Sequence, residues 1–142
     1  NLWVQDGATV NLTHGIYNFN EFKLAHSSIA NVEDDTEVRI ATALRFSLDG
    51  QVLGNGLTKF FVRGDGLSAA DKSVAYGYDA LFYGQVYAPY NGVVNLGDGS
   101  IFYGRFWARH IDSDCNFNIY YRAPSSVKGR VYDDSNCNWS EN

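Results

Sequence analysis

Leu81-Phe82-Tyr83-Gly84-Gln85-Val86-Tyr87-Ala88 returns one period later as Ile101-Phe102-Tyr103-Gly104-Arg105-Phe106-Trp107-Ala108, with four of the eight positions identical. Looser echoes stand upstream at Ile16-Tyr17-Asn18-Phe19, Val38-Arg39-Ile40-Ala41 and Phe60-Phe61-Val62-Arg63-Gly64. Ile16, Val38, Phe60, Phe82 and Phe102 mark the starts, three equal steps and a slightly shorter last one. A fixed period in this range marks one supersecondary unit stacked on copies of itself. It directs the search for function to the outer faces of a stack rather than to a single pocket.

Nothing in the chain reads as a helix. The segments are short, rich in Val, Phe, Tyr and Ile, and parted by turn clusters such as Leu48-Asp49-Gly50, Gly64-Asp65-Gly66 and Gly97-Asp98-Gly99-Ser100. Asp-Gly and Asn-Gly also favour hairpins, so an antiparallel meander or sandwich is the competing reading. The repeats, however, align in one direction at a whole-coil period, and hairpins impose no such self-similarity. A second series, Phe22-Lys23-Leu24, Phe46-Ser47-Leu48, Val94-Asn95-Leu96 and Phe117-Asn118-Ile119, runs offset at nearly the same period with one member missing. Two interleaved series are two sides of one coil.

The expected fold is therefore all-β: a single-domain parallel β-helix, or solenoid, of about five coils with about 20–24 residues and three short strands per coil. At about 4.8 Å per turn its core is roughly 24 Å long. Residues 66–80 break the rhythm, and the bulged loop is expected over Lys72–Tyr78. Residues 1–121 form the solenoid; 122–142 fall outside the repeat and are expected to cap its C-terminal end, where an open coil edge invites other chains.

At 142 residues the chain is one domain, large enough to bury a core unaided. Eleven Lys and Arg against sixteen Asp and Glu leave a net charge of −5, without the footprint of a nucleic-acid binder. No apolar run is long enough for a transmembrane helix, and no polybasic cluster would hold the chain to anionic lipid. No signal peptide opens the chain, which starts at Asn1 and holds no Met, as expected of a mature form or an excised fragment. The two cysteines, Cys115 and Cys137, both fall in the last quarter. In an exported protein they are expected to pair, a loop closure worth about 3 kcal/mol. Two buried thiols in a reducing compartment are the alternative, and the Asn/Asp/Tyr-rich composition favours export.

Strand parity sorts the faces. Phe82, Gly84, Val86 and Ala88, with Phe102, Gly104, Phe106 and Ala108, share the parity that suits a cramped interior. Tyr83, Gln85, Tyr87 and Pro89, with Tyr103, Arg105, Trp107 and Arg109, then point outward, and earlier coils add Phe61, Arg63 and Arg39. One outer face is expected to stack Phe61-Tyr83-Tyr103, with Tyr87-Trp107 beside them and Gln85 and Arg105 between.

The string Gly84-Gln85-Val86-Tyr87-Ala88-Pro89, followed by Val94-Asn95-Leu96-Gly97, Gly104, Ala108 and Phe117-Asn118-Ile119-Tyr120-Tyr121, resembles a bacterial domain family found in surface, pilus-associated and cell-envelope proteins. That family looks like a parallel β-solenoid and is often one module of a longer chain. Similar short-strand stacking occurs in the polymer-forming bactofilins. The resemblance spans roughly residues 8–122 and implies an extracellular, non-catalytic role in attachment or assembly. The Cys-bearing tail and the aromatic and Arg content of the outward parity depart from the family pattern.

Catalytic chemistry has few candidates. Glu33-Asp34-Asp35, Asp112 with Asp114, and Asp133-Asp134 fall in corners or the tail, where turn-forming Asp is the default, rather than as an acid pair across a cleft. Alternating Asp112, Asp114, Asn116 and Asn118 offer hard oxygen ligands, but the Gly and Glu of a calcium loop are missing. His14, His26 and His110 lack metal spacing, and His110 falls on the inward parity. No Gly-x-Ser-x-Gly elbow occurs, and Arg63-Gly64-Asp65 sits where a strand should turn a corner.

Neither cofactor nor metal is expected. The binding residues are expected to be Phe61, Tyr83, Gln85, Tyr87, Tyr103, Arg105 and Trp107; the alternative is that the 66–80 loop or the C-terminal tail covers this face and the rings are core. The expected binding residues suit a glycan or a surface-protein ligand of a bacterial cell-surface adhesion module, with other domains of a longer chain as further partners. The alternatives are a carbohydrate-binding module of a polysaccharide-degrading enzyme, a self-assembling solenoid, and a small β-helix lyase or hydrolase.

Overall fold

The computed structural model describes residues 1–54, 57–64, 74–113, 118–120, 130–133 and 138–141. Cys115 and Cys137 lie outside these residues. The strands are β1 (Leu2–Val4), β2 (Thr9–Leu12), β3 (Ile16–Leu24), β4 (Ile29–Val32), β5 (Glu37–Phe46), β6 (Gln51–Leu53) and β7 (Lys59–Val62). They continue as β8 (Val74–Tyr76), β9 (Leu81–Leu96), β10 (Ile101–Ser113), β11 (Asn118–Tyr120), β12 (Arg130–Asp133) and β13 (Asn138–Glu141). The described backbone contains no helix, and all thirteen strands belong to one sheet that coils upon itself.

Each coil has three sides. Side A stacks β1, the end of β3, the end of β5, β8 and the end of β9. Side B stacks β2, β4, β6, the starts of β9 and β10, and β11. Side C stacks the starts of β3 and β5, then β7, then the middles of β9 and β10. Every pairing as far as β11 is parallel, which makes this a β-solenoid of about five turns. Beyond it, β12 meets β11 antiparallel at Tyr120↔Val131, and β13 returns alongside β12.

Alternation builds the core. On side C, Val38, Phe60 and Val86 point inward in one column, and Ile40, Val62 and Ala88 in the next, all buried. Phe22, Phe60, Phe82 and Phe102 are fully enclosed. Phe82 and Phe102, paired in parallel register, stack at 4.9 Å and 8°. Parallel coils bring equivalent positions into contact, so like residues form ladders on either face.

Several details differ from the sequence reading, among them that Asn118-Ile119 of the second series pairs with the start of β10 on side B and not with side A. Phe60 pairs with Val86, while Phe82 stands over Val52 on side B, so the step from Phe60 to Phe82 joins two different sides. Two changes cancel there. The coil lengthens between β7 and β8, so that the step from Leu44 to its partner Val74 is longer than the one from Phe22 to Leu44. The corner between sides B and C meanwhile contracts to Gly84 alone.

Within the expected Lys72–Tyr78 loop, Val74–Tyr76 is a strand and supplies the missing side-A member, whereas Phe46 stands above Leu24 and not Phe22. His110 is exposed: the register slips between Ala108 and His110, and that bulge reverses the parity beyond it.

The A-to-B corners repeat one design. Gly7, Ser27, Asp49, Asp79 and Gly99 all take left-handed φ, between 52° and 74°. The N–H of each of the first four donates to the next coil: Gly7 to His26 O at 2.9 Å, Ser27 to Leu48 O at 3.1 Å, Asp49 to Tyr78 O and Asp79 to Asp98 O at 3.0 Å. Corner hydroxyls are buried and satisfied, Ser28 Oγ donating to Ala25 O at 2.8 Å and Ser100 Oγ to Gly77 O at 2.7 Å.

Candidate functional site

Sides B and C meet at Gly84 and Gly104, and the expected binding residues lie on either side of that edge. The two glycines hold φ of 159° and 151° inside unbroken strands, where a side chain is disfavoured. A Cβ on Gly104 would run into Gly84 O, so the two corners stack backbone on backbone. This tight corner lets one strand carry Tyr83 out on side B and Gln85 and Tyr87 out on side C.

The outer rings form two ladders. On side C, Phe61 stacks on Tyr87 at 5.0 Å and 16°, and Tyr87 on Trp107 at 4.5 Å and 3°. On side B, Tyr83 stacks on Tyr103 at 4.6 Å and Tyr103 on Tyr120 at 5.1 Å. Phe61 thus belongs with Tyr87 and not with Tyr83, for the same reason that Phe60 pairs with Val86. Tyr120 adds a ring that the sequence reading leaves out of the site. Its signal is the pair Ile119-Tyr120, which repeats Phe82-Tyr83 and Phe102-Tyr103 but follows after a shorter step.

The ladder geometry decides what the rings can offer. Tyr87 and Tyr103 each have a ring on both faces, so they present edges to the outside. Among the described residues, the rings at the ladder ends, Phe61 and Trp107 on side C and Tyr83 and Tyr120 on side B, each stack on another ring through one face only. Trp107 is 42% exposed and Phe61 37%, while Tyr87 is half-buried between them. Polar groups order the stack: Tyr87 Oη donates to Gln85 Oε1 at 3.2 Å, and the Arg105 guanidinium lies 5.9 Å from the Trp107 ring centre.

The outward residues of side C form three columns. Ile16, Glu37, Lys59, Gln85 and Arg105 make the first; Asn18, Arg39, Phe61, Tyr87 and Trp107 the second. Arg63, whose N–H donates to Ile40 O at 2.9 Å, starts a third that continues through Pro89 to Arg109. Among the described residues, five cations meet one acid on this face, Glu37, which pairs with Arg39 Nε. Over the described residues, then, this side is basic in a chain of net charge −5. Across coils one to four of this side runs an open groove of about 700 Å³, with the paired Glu37 and Arg39, Phe61, Arg63 and Tyr87 among its walls.

The other candidates do not converge. The Glu33–Asp35 corner is exposed, and Glu33 Oε2 accepts the His14 N–H at 2.8 Å. His26 Nδ1 lies 3.1 Å from Leu48 O and 3.9 Å from Asp49. No group of three or more His, Cys, Asp or Glu suited to a metal occurs among the described residues, and no described helix is long and apolar enough to cross a membrane. Comparison with protein-family models, with curated proteins and with solved structures finds no match.

Proposed function

We propose that the chain is a non-catalytic binding module of a bacterial cell-surface protein, acting outside the cell and gripping its ligand through side C. The carrying observation is the Phe61–Tyr87–Trp107 ladder, exposed at its ends on a face with five cations. Tyr, Trp and Arg are the residues that dominate binding hot spots, and rings held by their neighbours lose little entropy when a ligand docks. Edge-on presentation at the centre of the ladder favours a protein ligand over a glycan: sugar C–H groups need ring faces, and both faces of Tyr87 are covered by Phe61 and Trp107.

The test is Trp107→Ala, with adhesion of the labelled domain to arrayed surface proteins and glycans as the readout. Binding should fall severalfold while the melting temperature moves by only a few degrees. Unchanged binding overturns the reading. An exported location also predicts a Cys115–Cys137 disulfide, so the unreduced, denatured protein should yield no titratable thiol; two thiols would remove that support.

End-to-end assembly is a second reading with its own observation. β1 and β2 each pair on one side only among the described residues, leaving a ladder edge open at the first coil. Filaments or larger species at rising concentration, measured by light scattering, would favour it.

A further inference from the structure

The groove on side C adds a ligand class to the binding face, and the inference rests on that reading of the face. Its floor is apolar, formed by Phe19, Ala41 and Pro89, and its walls carry Arg39 and Arg63 and one acid, Glu37, which pairs with Arg39 Nε. Its lining comes from four successive coils, so it runs along the stack for roughly 14 Å, room for about four extended residues at about 3.3 Å each. Glu37 is the single acid among the described outward residues of side C, against five cations; Asp34 and Asp35 lie at the B-to-C corner that leads into β5.

We propose that this groove docks an extended acidic polypeptide segment, its apolar side chains seated on the floor and its carboxylates paired with Arg39 and Arg63. Three features select this occupant. The basic face on an acidic protein complements an anionic ligand and steers its approach. Guanidinium forks match carboxylates two bonds at a time. A floor of Phe, Ala and Pro takes Leu or Val side chains, and the Tyr87 ring beside it, stacked on both faces, turns its edge to the groove.

The experiment uses the full chain and fluorescence anisotropy with three probes: a peptide alternating Glu and Leu, the same peptide with Lys for Glu, and polygalacturonate. The Glu/Leu peptide should bind, more weakly as salt rises, and the Lys/Leu peptide should not. Arg39→Ala and Phe61→Ala should each weaken binding up to about fivefold, and Arg39→Ala with Arg63→Ala about tenfold or more. Lys23→Ala, on side A, should leave it unchanged, and melting curves should stay within a few degrees for every variant. Polygalacturonate binding that is lost in the same variants, without peptide binding, overturns the ligand class while leaving side C as the binding face. Peptide binding indifferent to Arg39, Phe61 and Arg63 overturns the groove. If no probe binds, the inference falls, and the adhesion assay on Trp107→Ala decides separately whether the binding face falls with it.

Discussion

Phe82–Phe102 and Tyr87–Trp107 are two ring pairs on the same two strands, with nearly the same geometry. The inner pair stacks at 4.9 Å and 8°, the outer at 4.5 Å and 3°. Parallel register alone sets both, because it stacks equivalent positions one coil apart on either face of the sheet. What separates them is water. Phe82 is fully buried, whereas Trp107 is 42% exposed. Stacking is therefore no sign of function in this fold; exposure of the stacked rings and the charges around them carry the functional argument.

That contrast can be broken most directly by truncating one ring from each pair. Phe82→Ala should cost about 3–5 kcal/mol through lost burial and the cavity left behind. Trp107→Ala should cost about 1 kcal/mol, the value of an aromatic pair near the surface. In melting temperature that is a fall of about 10 °C or more against about 3–4 °C for a chain of this size. Equal falls would mean that the outer ladder is core.

Next in size is the corner both ladders depend on. Gly104→Ala forces a Cβ into Gly84 O, and the backbone must move. Overpacking of this kind costs about 1–3 kcal/mol or more, and it should also disturb Tyr103 and Trp107 on either side, weakening binding as well as stability. A stability loss with binding intact would show that the two ladders are independent of the corner.

The smallest effect has the opposite sign. Tyr76 sits inside the inner ring cluster, 4.4 Å from Phe46 and 5.5 Å from Phe82, and its hydroxyl finds no partner among the described residues. Removing an unsatisfied buried hydroxyl with little change of shape should stabilise, so Tyr76→Phe is expected to gain about 1 kcal/mol in thermal melts. Burial also pushes the Tyr76 phenol well above its ordinary value of 10.0. The unfolded chain ionises there near pH 10 and the folded chain does not. Stability from this group is thus complete below about pH 10 and is lost as pH rises beyond it. Tyr76→Phe should flatten that alkaline decline; an unchanged slope would place the titration elsewhere.

The solenoid was legible because periodicity and alternation are properties of the chain itself. The parity of Phe82 through Ala88 was enough to separate inside from outside. Which coil position lies above which was less legible, since a period is read only modulo insertions. Phe60 and Phe82 share spacing and chemistry yet lie on different sides, because the longer coil before Val74 and the one-residue corner at Gly84 cancel. Tyr120 escaped for a related reason, as the step from Tyr103 to Tyr120 is shorter than the one from Tyr83 to Tyr103. His110 escaped because a bulge has no pattern of its own. The groove could not be read at all. Its residues come from four coils and meet only when register is known.

The A-to-B corner has a consequence for how such a chain can grow. From Gly7 to Gly99 the left-handed residue recurs whatever the length of the coil between, from the short step Gly7 to Ser27 up to the long one, Asp49 to Asp79. The joint stays closed across that longest step, Asp49 N–H to Tyr78 O, at 3.0 Å. This edge pins the stack, while differences in coil length are taken up elsewhere, in the step from Gly64 to Val74 and at the B-to-C corner that contracts to Gly84. New sequence spliced between Gly64 and Val74 would lengthen that coil without unpinning the A-to-B edge, so coils of unequal length can share one fixed joint.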